Sequence, residues 1–249
     1  MSLPFELRTQ AILLDIEGTT TPVSFVSGTL FPFAATHVEE FLLLHSADHE
    51  IAQLVEQLRV HWEADARERG TDLPAWTEAS SSERLRSAAA YVRSLIKRDS
   101  KITPLKFLQG RIWEAGYGSG KLQGEVYPDV PLAFSRWSAQ DRRIATFSSG
   151  SILAQQLLFA HSTAGDLTPF LYAFFDTTTG VKYEAQSYSR IAAALSFAPG
   201  MILFLSDAAA ELDAARAAGM QTALSLRPEV KRPVVLAHPC LTTFDEVFP

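Results

Sequence analysis

The feature that most constrains this chain is a set of short apolar runs, AILL (11–14), RRIATF (142–147), LYAFF (171–175) and MILFLS (201–206), which alternate with helix-length segments after Glu125. Runs as apolar as AILL and MILFLS suit strands buried on both faces. Strands alternating with helices need right-handed crossovers, so the pattern predicts a parallel sheet in a doubly wound α/β core. The helices that follow from this are expected over 128–139, 151–160, 184–195 and 208–218, the last ended by Gly219, with a closing strand over 221–226.

Between the first run and the rest the period changes from that of strands to that of helices. Helices are expected over 30–45, 50–69, 82–98 and 104–115; the second carries Ile51, Leu54, Val55 and Leu58 at core spacing, and Ser80 with Glu83 has capping-box spacing ahead of the third. The loop GYGSGKLQG, with glycines at 116, 118, 120 and 124, reads as a flexible return to the sheet. The expected organisation is a core made of 1–21 and 125–249, interrupted by an inserted all-helical cap over 22–124.

With 47% hydrophobic residues among 249, the chain has material for a packed core. A net charge of -6 without a basic run excludes a nucleic-acid footprint and leaves small molecules as the expected partners. The single cysteine, Cys240, excludes an internal disulfide framework and fits a reducing compartment. MSLPFELRTQ lacks the basic and apolar regions of a signal peptide, and no apolar run approaches the roughly 18 residues of a membrane span, so no membrane association and a cytoplasmic location are expected.

In an open parallel sheet, ligands bind beyond the carboxyl ends of the strands. The residues just past the four runs are Asp15 and Glu17, Ser148 and Ser149, Asp176 and Lys182, and Asp207 and Glu211. Two acids at one strand end repel one another unless a cation lies nearby, and Asp15 with Asp207 suits a hard ion taking oxygen ligands, magnesium. Lys182, the Ser148 and Ser149 hydroxyls and amides at the following helix N-terminus suit the oxygens of a phosphoryl group. Each has a plainer role: Asp207 and Ser148 to Ser151 as helix caps, Lys182 as a solvated lysine, Glu211 as a partner of Arg216 or a water-facing acid. Their shared placement at strand ends favours a common site.

Asp15-Ile16-Glu17-Gly18-Thr19-Thr20 resembles the nucleophile motif of haloacid dehalogenase-like phosphatases, with glutamate in place of the usual second aspartate. Together with SSGS (148–151), GVK ending at Lys182, LFLSD ending at Asp207 and LQGRIWEAGYGSGKLQGEVYPDV (108–130), it resembles the enolase-phosphatase family of methionine salvage over nearly the whole chain. The resemblance implies a haloacid dehalogenase-like, Rossmann-like core acting as a monomer with one Mg2+ per chain. It implies Asp15 as the nucleophile that forms an aspartyl-phosphate, Glu17 as acid and base whose main-chain carbonyl also touches the metal, and Lys182 with Ser148 and Ser149 around the phosphoryl group. Asp207 would complete the metal ligands Asp15 and Glu17. The substrate implied is 2,3-diketo-5-methylthiopentyl-1-phosphate, enolised and then dephosphorylated to acireductone. Glu17 and Lys182 are both candidates for the enolisation base, and Phe25, Trp113 and Tyr117 are apolar or aromatic residues suited to a methylthio group, with core packing the plainer role for Trp113.

Other readings are a phosphatase for another small phosphorylated metabolite, a dehalogenase, which has no need of magnesium, and a domain that only binds. GSGK (118–121) fails as a phosphate loop because Ala115 stands where a glycine is needed and Leu122 where a hydroxyl is needed. His45 and His49 lack the glutamate of a zinc-protease helix, and Asp48 marks a helix boundary between them.

Overall fold

The computed structural model describes residues 8–69, 72–229 and 237–249. Strand β1 (Ala11–Leu14) comes first, followed by the single turn α1 (Val23–Phe25) and the helices α2 (Phe31–Leu44), α3 (His49–Arg69), α4 (Ser81–Lys97) and α5 (Thr103–Gly118). The alternation then begins: α6 (Asp129–Ala139), β2 (Arg143–Phe147), α7 (Ile152–Ala160), β3 (Leu171–Phe175), α8 (Ala185–Leu195), β4 (Ile202–Ser206), α9 (Ala209–Ala217), β5 (Gln221–Ser225) and β6 (Cys240–Leu241).

Among the described residues the strands form one parallel sheet in the order β3-β2-β1-β4-β5-β6. β1 lies in the middle with its side chains fully buried, Leu14 opposite Thr146 on β2 and Leu205 on β4. From β1 the chain winds outward to β2 and β3, then returns to place β4 on the other side, so the order reverses where the ends of β1 and β4 meet, the point at which α/β sheets bind ligands. One face of the sheet packs Leu13, Ala145 and Phe204 against Tyr188, Ile191 and Leu212 of α8 and α9. No helix among the described residues is long and apolar enough to cross a membrane.

Two compact units result, the described residues up to Val26 with Gln123–Pro249, and Ser27–Leu122. The second is all helical and has its own core: Ile51, Leu54, Val55 and Leu58 are buried, and Ser80 Oγ accepts from the Glu83 amide at 3.2 Å, as the capping-box spacing predicts. Trp113 packs inside this unit and donates from Nε1 to the Leu30 carbonyl at 2.9 Å.

Several local features differ from the sequence expectation. Helix α5 continues to Gly118, three residues beyond Ala115, and the strand expected over 221–226 stops at Ser225. The two-residue β6 went unpredicted because two residues carry no period. The glycines of the return loop serve more than flexibility: a Cβ on Gly116 would lie 2.7 Å from the Phe33 ring, and one on Gly124 would lie 2.3 Å from the Leu158 carbonyl oxygen. Gly124→Ala is therefore expected to cost about 1–3 kcal/mol in denaturant unfolding, because backbone is what blocks it. Gly118→Ala, with nothing within 4 Å and a helical backbone, is expected to be neutral or to stabilise by up to about 1 kcal/mol.

Candidate active site

Asp15 follows β1 and continues its ladder, its amide donating to the Leu205 carbonyl of β4 at 2.9 Å. Its carboxylate is buried, and Lys182 Nζ lies 2.6 Å from Asp15 Oδ1 and 2.6 Å from Glu211 Oε2. Lys182 comes from the turn after β3 and is only 6% exposed; Tyr188 of α8 holds that turn by donating its hydroxyl to the Lys182 carbonyl at 2.8 Å. Ser206, the last residue of β4, donates to Glu211 Oε2 at 3.1 Å, lies 3.5 Å from Asp15 Oδ2 and accepts from the Ala208 amide at 3.1 Å. Gly18 turns the chain at φ +73 so closely against Asp207 that a Cβ would lie 2.5 Å from Asp207 Oδ2.

The electrostatics follow from three acids sharing one ammonium. Burial, with repulsion from Asp15 and Glu211, raises Asp207 from its ordinary 3.8 to about 7. Burial and Asp15 likewise raise Glu211 from 4.5 to about 7, against the pull of Lys182. Burial alone would lower Lys182, but Asp15 and Glu211 more than offset it and its pKa rises.

The structure decides several of the plainer roles. Asp207 is no helix cap: α9 has Ala208 at its N-cap without a side-chain bond, and the Ala208 amide is taken by Ser206. Lys182 is not solvated, and Glu211 is buried on Lys182 while Arg216 pairs with Asp213 at 2.6 Å. Asp176 is structural, accepting from the Ile152 and Thr178 amides at 3.3 and 2.9 Å. Ser151 caps α7 by accepting from Ala154, and Asp176 takes the Ile152 amide, so two amides at the α7 N-terminus are already bonded. Ser148 is half-buried with Oγ accepting from the Gly150 amide at 3.1 Å, and Ser149 is exposed. Glu17 is exposed, just past the end of β1, and bridges through its backbone to Thr21.

A family model described as haloacid dehalogenase-like hydrolase matches residues 9–219, spanning the segments that carry Asp15, Lys182, Asp207 and Glu211. The chain belongs to that family. Enolase-phosphatase E1 of Synechococcus elongatus is 48% identical over 99% of this chain and all of its own length, and that of Sorangium cellulosum 47% identical over 98% and 99%. Among solved structures, the UTR4 protein of Saccharomyces cerevisiae is 30% identical with a TM-score of 0.75, covering 95% of this chain and 99% of its own. A dehalogenase at 17% identity and a TM-score of 0.55 shares the fold. This haloacid dehalogenase-like hydrolase thus groups with enolase-phosphatases by sequence.

Asp15 and Asp207 offer oxygen donors beside a single ammonium, and Gly18 leaves room beside Asp207 that any side chain would fill. Among the described residues no three His, Cys, Asp or Glu side chains gather closely enough to enclose an ion by themselves. Without a divalent cation, Asp207 and Glu211 hold protons in the folded state that the unfolded chain releases near pH 4. Their contribution to stability is therefore present below about pH 4 and lost as pH rises through about 7. Asp207→Asn is expected to stabilise the cation-free protein at pH 8 by about 1–3 kcal/mol and to change little at pH 4, as read from urea unfolding at the two pH values.

Proposed function

We propose that this chain is an enolase-phosphatase that converts 2,3-diketo-5-methylthiopentyl-1-phosphate to acireductone, with one Mg2+ per chain and acting as a monomer. The observation that carries the phosphatase part is the buried Asp15 carboxylate held 2.6 Å from the Lys182 ammonium where β1 and β4 end. Relatives at 47–48% identity over nearly full length, both named enolase-phosphatase E1, support the substrate.

In this reading Asp15 Oδ attacks phosphorus, a P–O bond to the enediol oxygen breaks, and an aspartyl-phosphate forms that water then hydrolyses. A carboxylate is repelled by a phosphate dianion, and Lys182, buried and fully charged, offsets that repulsion while fixing the direction of Asp15. Ser148 and Ser149 receive the phosphoryl oxygens. Glu17, on the exposed side of the bend, gives its proton to the leaving oxygen and later takes one from the attacking water. Glu211 touches Lys182 and Ser206, so its part is to hold the ammonium in place. Asp15, Asp207 and the Glu17 carbonyl would hold magnesium, which when bound neutralises the carboxylates and polarises phosphoryl or enediolate oxygens. The helical unit is assigned to water exclusion and substrate choice.

Incubation of the protein with the diketone phosphate and magnesium is expected to show loss of the diketone absorbance together with phosphate release. Asp15→Asn is expected to lose phosphate release by about a thousandfold or more, and chelation of divalent cations to stop it reversibly. Phosphate released without an enol intermediate or acireductone would leave a phosphatase for another small phosphorylated metabolite.

A further inference from the structure

Arg227, in the segment after β5, is 4% exposed, and its hydrogen bonds are to Thr19, Asp129 and Thr242, outside the Lys182 cluster. Nε donates to the Thr19 carbonyl at 2.9 Å, and Nη1 to Asp129 Oδ2 at 2.7 Å and the Thr242 carbonyl at 3.3 Å. The guanidinium is flanked by Tyr127 and Phe244, with Cζ 4.4 Å from each ring centre. Its Nη2 finds no acceptor among the described residues, an unusual cost for a buried donor that calls for an explanation.

The turn it binds is the one that leads out of the nucleophile strand. The Ile16 carbonyl accepts the amides of Thr19, Thr20 and Thr21 at 3.2, 2.9 and 2.9 Å, and the Gly18 amide closes the turn onto the Thr21 carbonyl at 2.8 Å. The outward-facing carbonyls are held from one side: Thr19 by Arg227, and Thr20 by the Tyr127 amide at 2.9 Å, the same residue whose ring stacks on the guanidinium. Within this turn Gly18 abuts Asp207, so a shift of the turn must move Asp207, Glu17 or both.

We propose that Arg227 is a positioning residue for phosphoryl transfer, its bond to the Thr19 carbonyl fixing the turn that carries Glu17 and seats Gly18 against Asp207. This rests on the phosphatase reading above. A planar guanidinium gives separate donors to Thr19 and Asp129 while stacked between two rings; a lysine ammonium, a single point, does not serve both acceptors in that slot. Asp129, at the start of α6, balances the charge, so the clamp costs no unpaired ion.

The test compares Arg227→Lys and Arg227→Gln with Trp137→Phe, which loses the Nε1 bond to the Val247 carbonyl but keeps an aromatic ring against Phe244, and so weakens the same unit with the Arg227 slot still walled on both sides. Amide hydrogen exchange and hydrolysis of p-nitrophenyl phosphate with magnesium are followed in each. In the Arg227 variants the amides of residues 18–21 are expected to exchange at least about tenfold faster, with Trp137→Phe within about threefold of wild type. Their kcat is expected to fall about thirtyfold with KM changed less than about threefold, and to hold in Trp137→Phe. In wild type the same amides are expected to exchange within about tenfold of the Leu226 amide, which bonds to Leu241, a check that needs no variant to fold. Unchanged turn exchange in both Arg227 variants, equal acceleration in Trp137→Phe, or a wild-type turn far faster than Leu226 overturns the clamp, whatever the substrate. Faster exchange with kcat unchanged overturns the positioning role. A wild-type chain that hydrolyses no ester removes the phosphatase reading and the positioning role with it, while the exchange contrast still judges the clamp.

Discussion

The site is organised around one buried ammonium. Lys182 lies 2.6 Å from both Asp15 and Glu211, and each of the three comes from a different connection of the sheet. Without the lysine, Asp15, Asp207 and Glu211 would share a desolvated corner with no opposite charge among them. With it, one carboxylate is compensated and directed, while three acids still face a single ammonium and Asp207 and Glu211 keep their protons up to about pH 7. That imbalance makes the region a poor contributor to stability and a good receptor for a hard cation, which is the usual tension between a fold and its chemistry.

Much of this was legible because two periodicities are strong here. The buried runs and the helices between them fix the sheet, and the sheet's reversal point decides where Asp15, Lys182, Asp207 and Glu211 must go. Local sequence did not reveal which polar residues at the strand ends are spent on the backbone. Asp176 and Ser151 are consumed in capping α7 and its approach, and Ser206, unremarkable as a strand residue, takes the α9 amide that Asp207 was a candidate for. Such choices depend on one hydroxyl or another lying within 3 Å or so, below the resolution of a pattern.

Arg227 was illegible for a different reason. Its partners Thr19, Asp129 and Thr242 are far from it in sequence or carry their acceptor on the backbone, so no residue spacing announces them. The glycines misled in the opposite sense: Gly116 and Gly124 read as part of a flexible return to the sheet but are places where a ring and a carbonyl leave no space. In both cases the missing information is three-dimensional proximity.

The central position of β1 has a kinetic side. This strand is synthesised before the whole helical unit, yet its neighbours β2 and β4 both come after it, so its four buried residues wait unpaired while more than half the chain is made. Closing such distant segments is entropically slow, and Asp15 meets Lys182 only once the segment beyond β3 has docked. Competence for chemistry therefore arrives late in folding, and a nascent or half-assembled chain holds Asp15 as an ordinary, solvated carboxylate.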